Sequence, residues 1–415
     1  MLIKEVAVSP LSRVLGFVLL SCLLGLAYPV PSRSETPEPV QLVESWPVET
    51  QLDNPAIPDA PQVWLQMVKS ARERLDFAEF YASNAPDSLR EAYPASAGRL
   101  EAVIEAIEAA AKRGVKVRFL AEKNFYKTYP TTLNRLDAQR NVELRIYDVG
   151  ALMGGVLHAK YFLVDGHEAY LGSQNFDWRS LAHIQELGLK IDDPHISQRL
   201  QEVFDYDWAR SNGEEPPPVS ATPDSLPAGY SVAFSPTGFL PREADWDLPQ
   251  IVKLLDGAQD HIRFQLLSYH VVGRDHSYWN VIDDALRRAS ARDVKVEMIL
   301  ANWSKGGSSM QYLKSLQTLD HVQVRIATIP QWSKGFIPFA RVIHAKYLVV
   351  DGASSWVGTS NWGKSYFHNT RNVGLVMNDS RIAQQLEGFF SRLWQSTYVE
   401  DLDPCKSYER QRVAQ

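Results

Sequence analysis

One pattern occurs twice in this chain at unchanged spacing, H-x-K-x4-D-x6-G-[ST]-x-N. The first copy runs from His158 and Lys160 through Asp165 to Gly172, Ser173 and Asn175. The second runs from His344 and Lys346 through Asp351 to Gly358, Thr359, Ser360 and Asn361. Such a duplication calls for two like halves, each building the same local unit. Length agrees, because 415 residues are too many for one ordinary core.

In an extended strand, residues i and i+2 face the same way, so each His projects with its Lys. The apolar runs that follow, Tyr161 to Val164 and Tyr347 to Val350, suit strands buried on both faces. Asp165 and Asp351 lie five residues past their lysines and so face away from them, as structural hydrogen-bond or ion-pair partners. The glycine of each G-[ST]-x-N segment permits a sharp turn. The hydroxyls of Ser173, Thr359 and Ser360 and the amides of Asn175 and Asn361 are candidate ligands for a substrate.

The surrounding sequence repeats in order. Leu100, Val103, Ile104 and Ile107 mark an amphipathic helix, followed by a strand at Val115–Leu120 and another at Val142–Ile146. Tyr278 to Arg292, Val294 to Ile299 and Val322 to Ile326 repeat that sequence of elements. Helices alternating with strands predict an α/β sandwich in each half, the two packed about a pseudo-twofold axis with both motifs at the interface. The expected boundaries are a first half at 61–211, a Pro-rich linker at 212–229, a second half at 230–404 and a tail at 405–415. Residues 35–60 read as a Pro- and Glu-rich linker that docks on the first half.

Two such units face to face would bring together two imidazoles, two ammonium groups and two amides, which is a pocket for a phosphodiester. One histidine attacks phosphorus and the other protonates the leaving oxygen. Lysines and amides hold the non-bridging oxygens. Spacing alone leaves the direction open; His158 is taken as nucleophile and His344 as acid.

These residues resemble the phospholipase D superfamily, whose signature is a duplicated "HKD" motif. Asn175–Leu181 with Glu186-Leu187-Gly188, and Gly358–Trp362 with Ser365-Tyr366-Phe367, are similar to the branch of animal lysosomal phospholipases D, family members three and four, and their poxvirus and bacterial relatives. The resemblance spans roughly residues 41 to 404. It implies a phosphohistidine intermediate, no metal and no cofactor, with single-stranded nucleic acid attacked from its 5′ end or phospholipid as substrate. It also implies that an acidic residue holds a catalytic histidine. Glu186 stands eleven residues past Asn175, where the second half has Asn372. Such a carboxylate would raise the pKa of its histidine by favouring imidazolium.

Residues 1–34 read as a cleaved signal peptide, an N-terminal anchor through the apolar run 14–30, or a lipoprotein signal at Cys22. Each places the catalytic part outside the cytoplasm. The only cysteines are Cys22 and Cys405, so cleavage would leave no intramolecular disulfide.

The net charge is −6, and −8 without residues 1–34, which argues against a broad duplex-binding surface. Three stretches mix bases with aromatics as single-strand sites do: Lys123–Tyr129, Trp303–Gly307 and Trp332–Phe336. The same aromatics would suit a lipid interface. A phosphate-binding module without catalysis is the third reading.

Overall fold

A computed structural model of the chain describes residues 38–220, 225–273 and 277–414. The reading of residues 1–34, Cys22 included, lies outside the described residues. None of the described helices is long and apolar enough to cross a membrane.

Each half is built on a mixed sheet. The first runs, edge to edge, Val40–Ser45, Ile184–Ile191, Glu168–Gly172, Lys160–Val164, Arg74–Glu79, Lys116–Glu122 and Val142–Tyr147. The second runs Tyr230–Ser235, Asn372–Met377, Ser354–Gly358, Tyr347–Val350, His261–Leu266, Lys295–Ala301, Val322–Ala327 and Val399–Asp401. The motif strands lie at equivalent central places. Each pairs antiparallel with the central strand beside it, Arg74–Glu79 or His261–Leu266, and the next two strands run parallel to that one. Parallel strands need helical crossovers. Arg99–Lys112 and Val281–Ser290 supply them, burying Leu100, Val103, Ile104 and Ile107 in one half and Ile282, Ala285, Leu286 and Ala289 in the other.

This is the duplicated α/β arrangement expected. Val342–Ile343 of the second half, just before His344, pairs with Ile184–Gln185 of the first, just before Glu186, so the halves join beside the site. One cluster of buried apolar side chains runs through both halves, joining Tyr161 and Leu189 to Tyr347 and Val357.

Three local features differ from the sequence reading. Within the stretch read as a linker, Val40–Ser45 is the edge strand of the first sheet, with Val40, Leu42 and Val43 buried. The tail packs back on the second half, where Val413 accepts the backbone N–H of Phe339 at 2.8 Å. Gly172 and Gly358 are required by close packing rather than by a left-handed turn. A Cβ on Gly172 would stand 2.8 Å from the Cα of Gly188, and one on Gly358 would stand 2.6 Å from the Trp356 ring.

Candidate active site

Asp165 and Asp351 sit far from any chemistry. Each begins an Asp-Gly hairpin turn at positive φ, 51° and 53°, at the end of its motif strand opposite the histidine. Five residues of strand separate each from its lysine, roughly 16 Å. The Asp165 carboxylate accepts the backbone N–H groups of Arg72, Glu73 and Arg74, and Asp351 accepts those of Gln259, Asp260 and His261. Burial alone would raise both pKa values, but three N–H donors apiece outweigh it and hold them low. These aspartates clamp the motif strand to the start of its neighbour.

The histidines lie at the other end, where strands of the two halves cross. The backbone N–H of His158 donates to the carbonyl of Arg371, and that of His344 donates to the carbonyl of Gln185. The rings follow the same crossing. His158 Nδ1 lies 3.0 Å from Asn372 Oδ1, and His344 Nδ1 lies 2.8 Å from Glu186 Oε2. Each half thus supplies the ring partner of the other half's histidine.

The network around Asn372 fixes the tautomer of His158. Asn372 Nδ2 donates to the carbonyls of Tyr366 and Thr370, and its Oδ1 accepts the Thr359 hydroxyl. The amide therefore cannot be flipped, and His158 Nδ1 must be the donor. Its Nε2 then carries the lone pair. His344 faces a carboxylate, the partner that stabilises imidazolium.

Beneath the histidines lie Lys160 and Lys346, 1% and 0% exposed, each donating from Nζ to the carbonyl of its own motif's histidine. The expected net rise at the Glu186-bound histidine is not what this site gives. Burial, then Lys346 and Lys160, push His344 well below its ordinary value; burial and the same lysines do so at His158. Burial likewise raises Glu186 to about 8 and lowers Lys346 to about 7. Burial disfavours charge of either sign in this site, and a phosphate anion bound there reverses that preference at the lysines and histidines.

His158, His344, Asn175 and Asn361 line one cavity of about 440 Å³. Asn361 Nδ2 donates to the Tyr366 hydroxyl at 3.2 Å, while Asn175 Oδ1 is buried with no hydrogen-bond partner among the described residues. The hydroxyls taken as substrate ligands are not on the cavity wall. Ser173 exchanges hydrogen bonds with the backbone of Leu187, Thr359 holds Asn372, and Ser360 donates to Asp247. All three are at most 1% exposed and serve the scaffold.

Much of the remaining wall is aromatic. Phe80 and Phe125 have centroids 3.9 Å apart, and Tyr81 stacks on Tyr129 at 5.0 Å. Arg179, held by Asp177, covers Tyr129. Of the three basic and aromatic stretches, the first contributes Phe125 and Tyr129 and the second Trp303. Trp332 of the third turns inward against Tyr93 and His183. Phe80 and Tyr81 escaped the sequence reading; their signal was their place just past the end of a parallel-sheet strand, where α/β folds put ligands. Arg371 also went unnoticed. It is fully buried against Asp207 and donates to the backbone carbonyl of Ser235, the strand partner of Asn372.

A twice-built α/β unit with paired histidines and lysines at its pseudo-twofold interface defines the class: a two-motif phosphoryl-transfer fold. Residues 64–208 and 251–394 both match the family model of the cardiolipin synthase PLD-like domain, and the chain belongs to this phospholipase D family. It is 32% identical to the 5′-3′ exonuclease PLD3 of Macaca fascicularis over 87% of this chain and 80% of that protein. It is 31% identical to the human 5′-3′ exonuclease PLD4, over 87% and 78%, and 31% identical to a probable phospholipase D of Caenorhabditis elegans, over 82% and 67%. Among solved structures, phosphatidylserine synthase of Haemophilus influenzae shares the fold, with a TM-score of 0.56 at 12% identity, covering 82% of this chain and 85% of that one.

Proposed function

We propose that this protein is a phosphodiesterase that degrades single-stranded nucleic acid from the 5′ end through a phosphohistidine. His158 Nε2 attacks phosphorus, and the P–O bond to the leaving group breaks. The departing alkoxide takes its proton from His344, whose imidazolium Glu186 favours. Lys160, Lys346, Asn175 and Asn361 hold the non-bridging oxygens as charge builds. Water then attacks the phosphohistidine, His344 takes the proton from that water, and His158 is regenerated with release of a phosphate monoester. These side chains supply every group that the steps use.

The observation that carries this reading is the crossed, unequal pairing: a neutral amide on His158 and a carboxylate on His344, in one cavity. The aromatic wall suits a nucleobase, whose stacking contributes about 1–3 kcal/mol, and the relatives named as exonucleases agree. The basic and apolar pattern of residues 1–34 supports placement outside the cytoplasm. Exposed Leu152, Phe336 and Phe339, the last at the cavity wall, favour a second reading in which the diester is a phospholipid.

The test offers the full-length protein end-labelled single-stranded DNA and, separately, phosphatidylglycerol vesicles, both in EDTA. Stepwise release of nucleotides from the 5′ end, absent in His158→Ala and His344→Ala, is the expected result. Headgroup release with intact DNA would replace the nuclease reading by the lipid one, and turnover of neither substrate would leave a phosphate-binding module.

A further inference from the structure

A second hollow, of about 590 Å³, shares Gly154, Ser365 and Tyr366 with the catalytic cavity and continues past His270, Lys364 and Asn369. We propose that this groove is a subsite for the nucleotides that follow the scissile bond, with Lys364 as the ligand of their backbone phosphate. The inference rests on the nuclease reading above and extends it to the path of the strand.

Three observations carry it. The first is continuity. The ring of His158 contacts Phe80, in the aromatic wall, at 5.1 Å, and Tyr366, in the shared rim, at 5.3 Å. A strand with its first base against Phe80, Tyr81 and Phe125 and its phosphorus at His158 meets the groove next. Gly154 lines both hollows, and Gly155 beside it packs directly on the backbone of the rim. A Cβ on Gly155 would stand 2.2 Å from the carbonyl oxygen of Asn369, so no larger residue fits there without moving the rim.

The second is charge. The protein carries 49 acidic residues and a net charge of −6. Yet among the described residues no carboxylate lines either the cavity or the groove. Of the other hollows, one is lined by Asp245 and Asp351 and one by Asp87, while a third, at Arg392, is also free of carboxylates. Lys364 is exposed and has no carboxylate partner among the described residues. Among the described residues this acidic protein keeps the path free of carboxylates and places a cation on it, the pattern of a track for a polyanion.

The third is polarity. Beyond Tyr366 the groove is lined by Ser308, Ser365, Asn369 and the glycines Gly273 and Gly363, with Val272 its one aliphatic side chain among the described residues. A sugar–phosphate backbone finds donors and acceptors there, whereas an acyl chain finds little to cover.

The experiment compares wild type, Lys364→Glu and Lys364→Arg on three probes: bis(p-nitrophenyl) phosphate, a thymidine dinucleotide and an oligothymidylate of about twelve residues. For Lys364→Glu, KM on the long oligomer should rise about tenfold and its dependence on salt should weaken, with kcat retained and KM restored by Lys364→Arg. The rise should be confined to the long oligomer. An equal change on the dinucleotide, or none on any probe, would overturn the groove assignment while the nuclease reading stands. Wild-type turnover of the small diester with neither oligonucleotide cut would instead remove the nuclease reading, and this inference with it.

Discussion

His344 Nδ1 lies 2.8 Å from Glu186 Oε2 across 158 residues of chain, in the opposite half of the molecule. The equivalent contact, His158 to Asn372, crosses 214 residues. One half therefore supplies the ring partner of the other half's histidine, and neither half holds a complete site.

The two histidines should fail differently. With a p-nitrophenyl phosphodiester, whose leaving group needs no proton, His344→Ala should still release a stoichiometric burst of nitrophenol and accumulate phosphohistidine. His158→Ala should release none. Steady-state turnover of DNA should fall by about a thousandfold or more in both. Rapid-quench kinetics reads the burst, and a burst in His158→Ala alone would reverse the assignment.

Exchanging the ring partners should move opposite limbs of the pH profile. Glu186→Gln removes the carboxylate that favours imidazolium at His344. The proton is then lost earlier, and the alkaline limb of kcat/KM should shift to lower pH, with kcat down about a hundredfold. Asn372→Asp puts a carboxylate on His158, which must be neutral to attack, so its acid limb should shift to higher pH. Both profiles come from initial rates on the same oligonucleotide.

Inorganic phosphate should bind with uptake of protons. Burial holds Lys346 down at about 7 and both histidines below their usual value. An anion raises all three, so affinity should increase as pH falls through neutrality. Calorimetry in buffers of different ionisation enthalpy counts the protons directly.

Asp165→Asn keeps a residue that tolerates the left-handed turn but replaces the carboxylate that accepts three N–H groups. Stability should drop by about 1.5–3 kcal/mol at neutral pH, with the catalytic constants little changed. Because the folded-state pKa is depressed, this contribution is present above the unfolded value of about 4. It disappears as pH falls through the folded one, so wild type and variant should converge in acid. Urea melts at neutral and acid pH test both halves of the statement.

The sequence by itself determined the duplication, the α/β class and the residue types of the site. Strict spacing of His, Lys, Gly and Asn leaves few alternatives, and helix and strand periodicities repeat around each copy. Tertiary structure decided which groups meet. Asp165 and Asp351 share the motif with the histidines, yet the rise of a strand carries them to its far end. Ser173, Thr359 and Ser360 have the chemistry of phosphate ligands, but the backbone of Leu187, the amide of Asn372 and the carboxylate of Asp247 engage them first. Glu186 could be read as a histidine's partner, but not as the partner of the histidine in the other half. Nor could the sequence weigh its charge against two buried lysines, because burial, which lowers His344, belongs to no residue until the two sheets have packed.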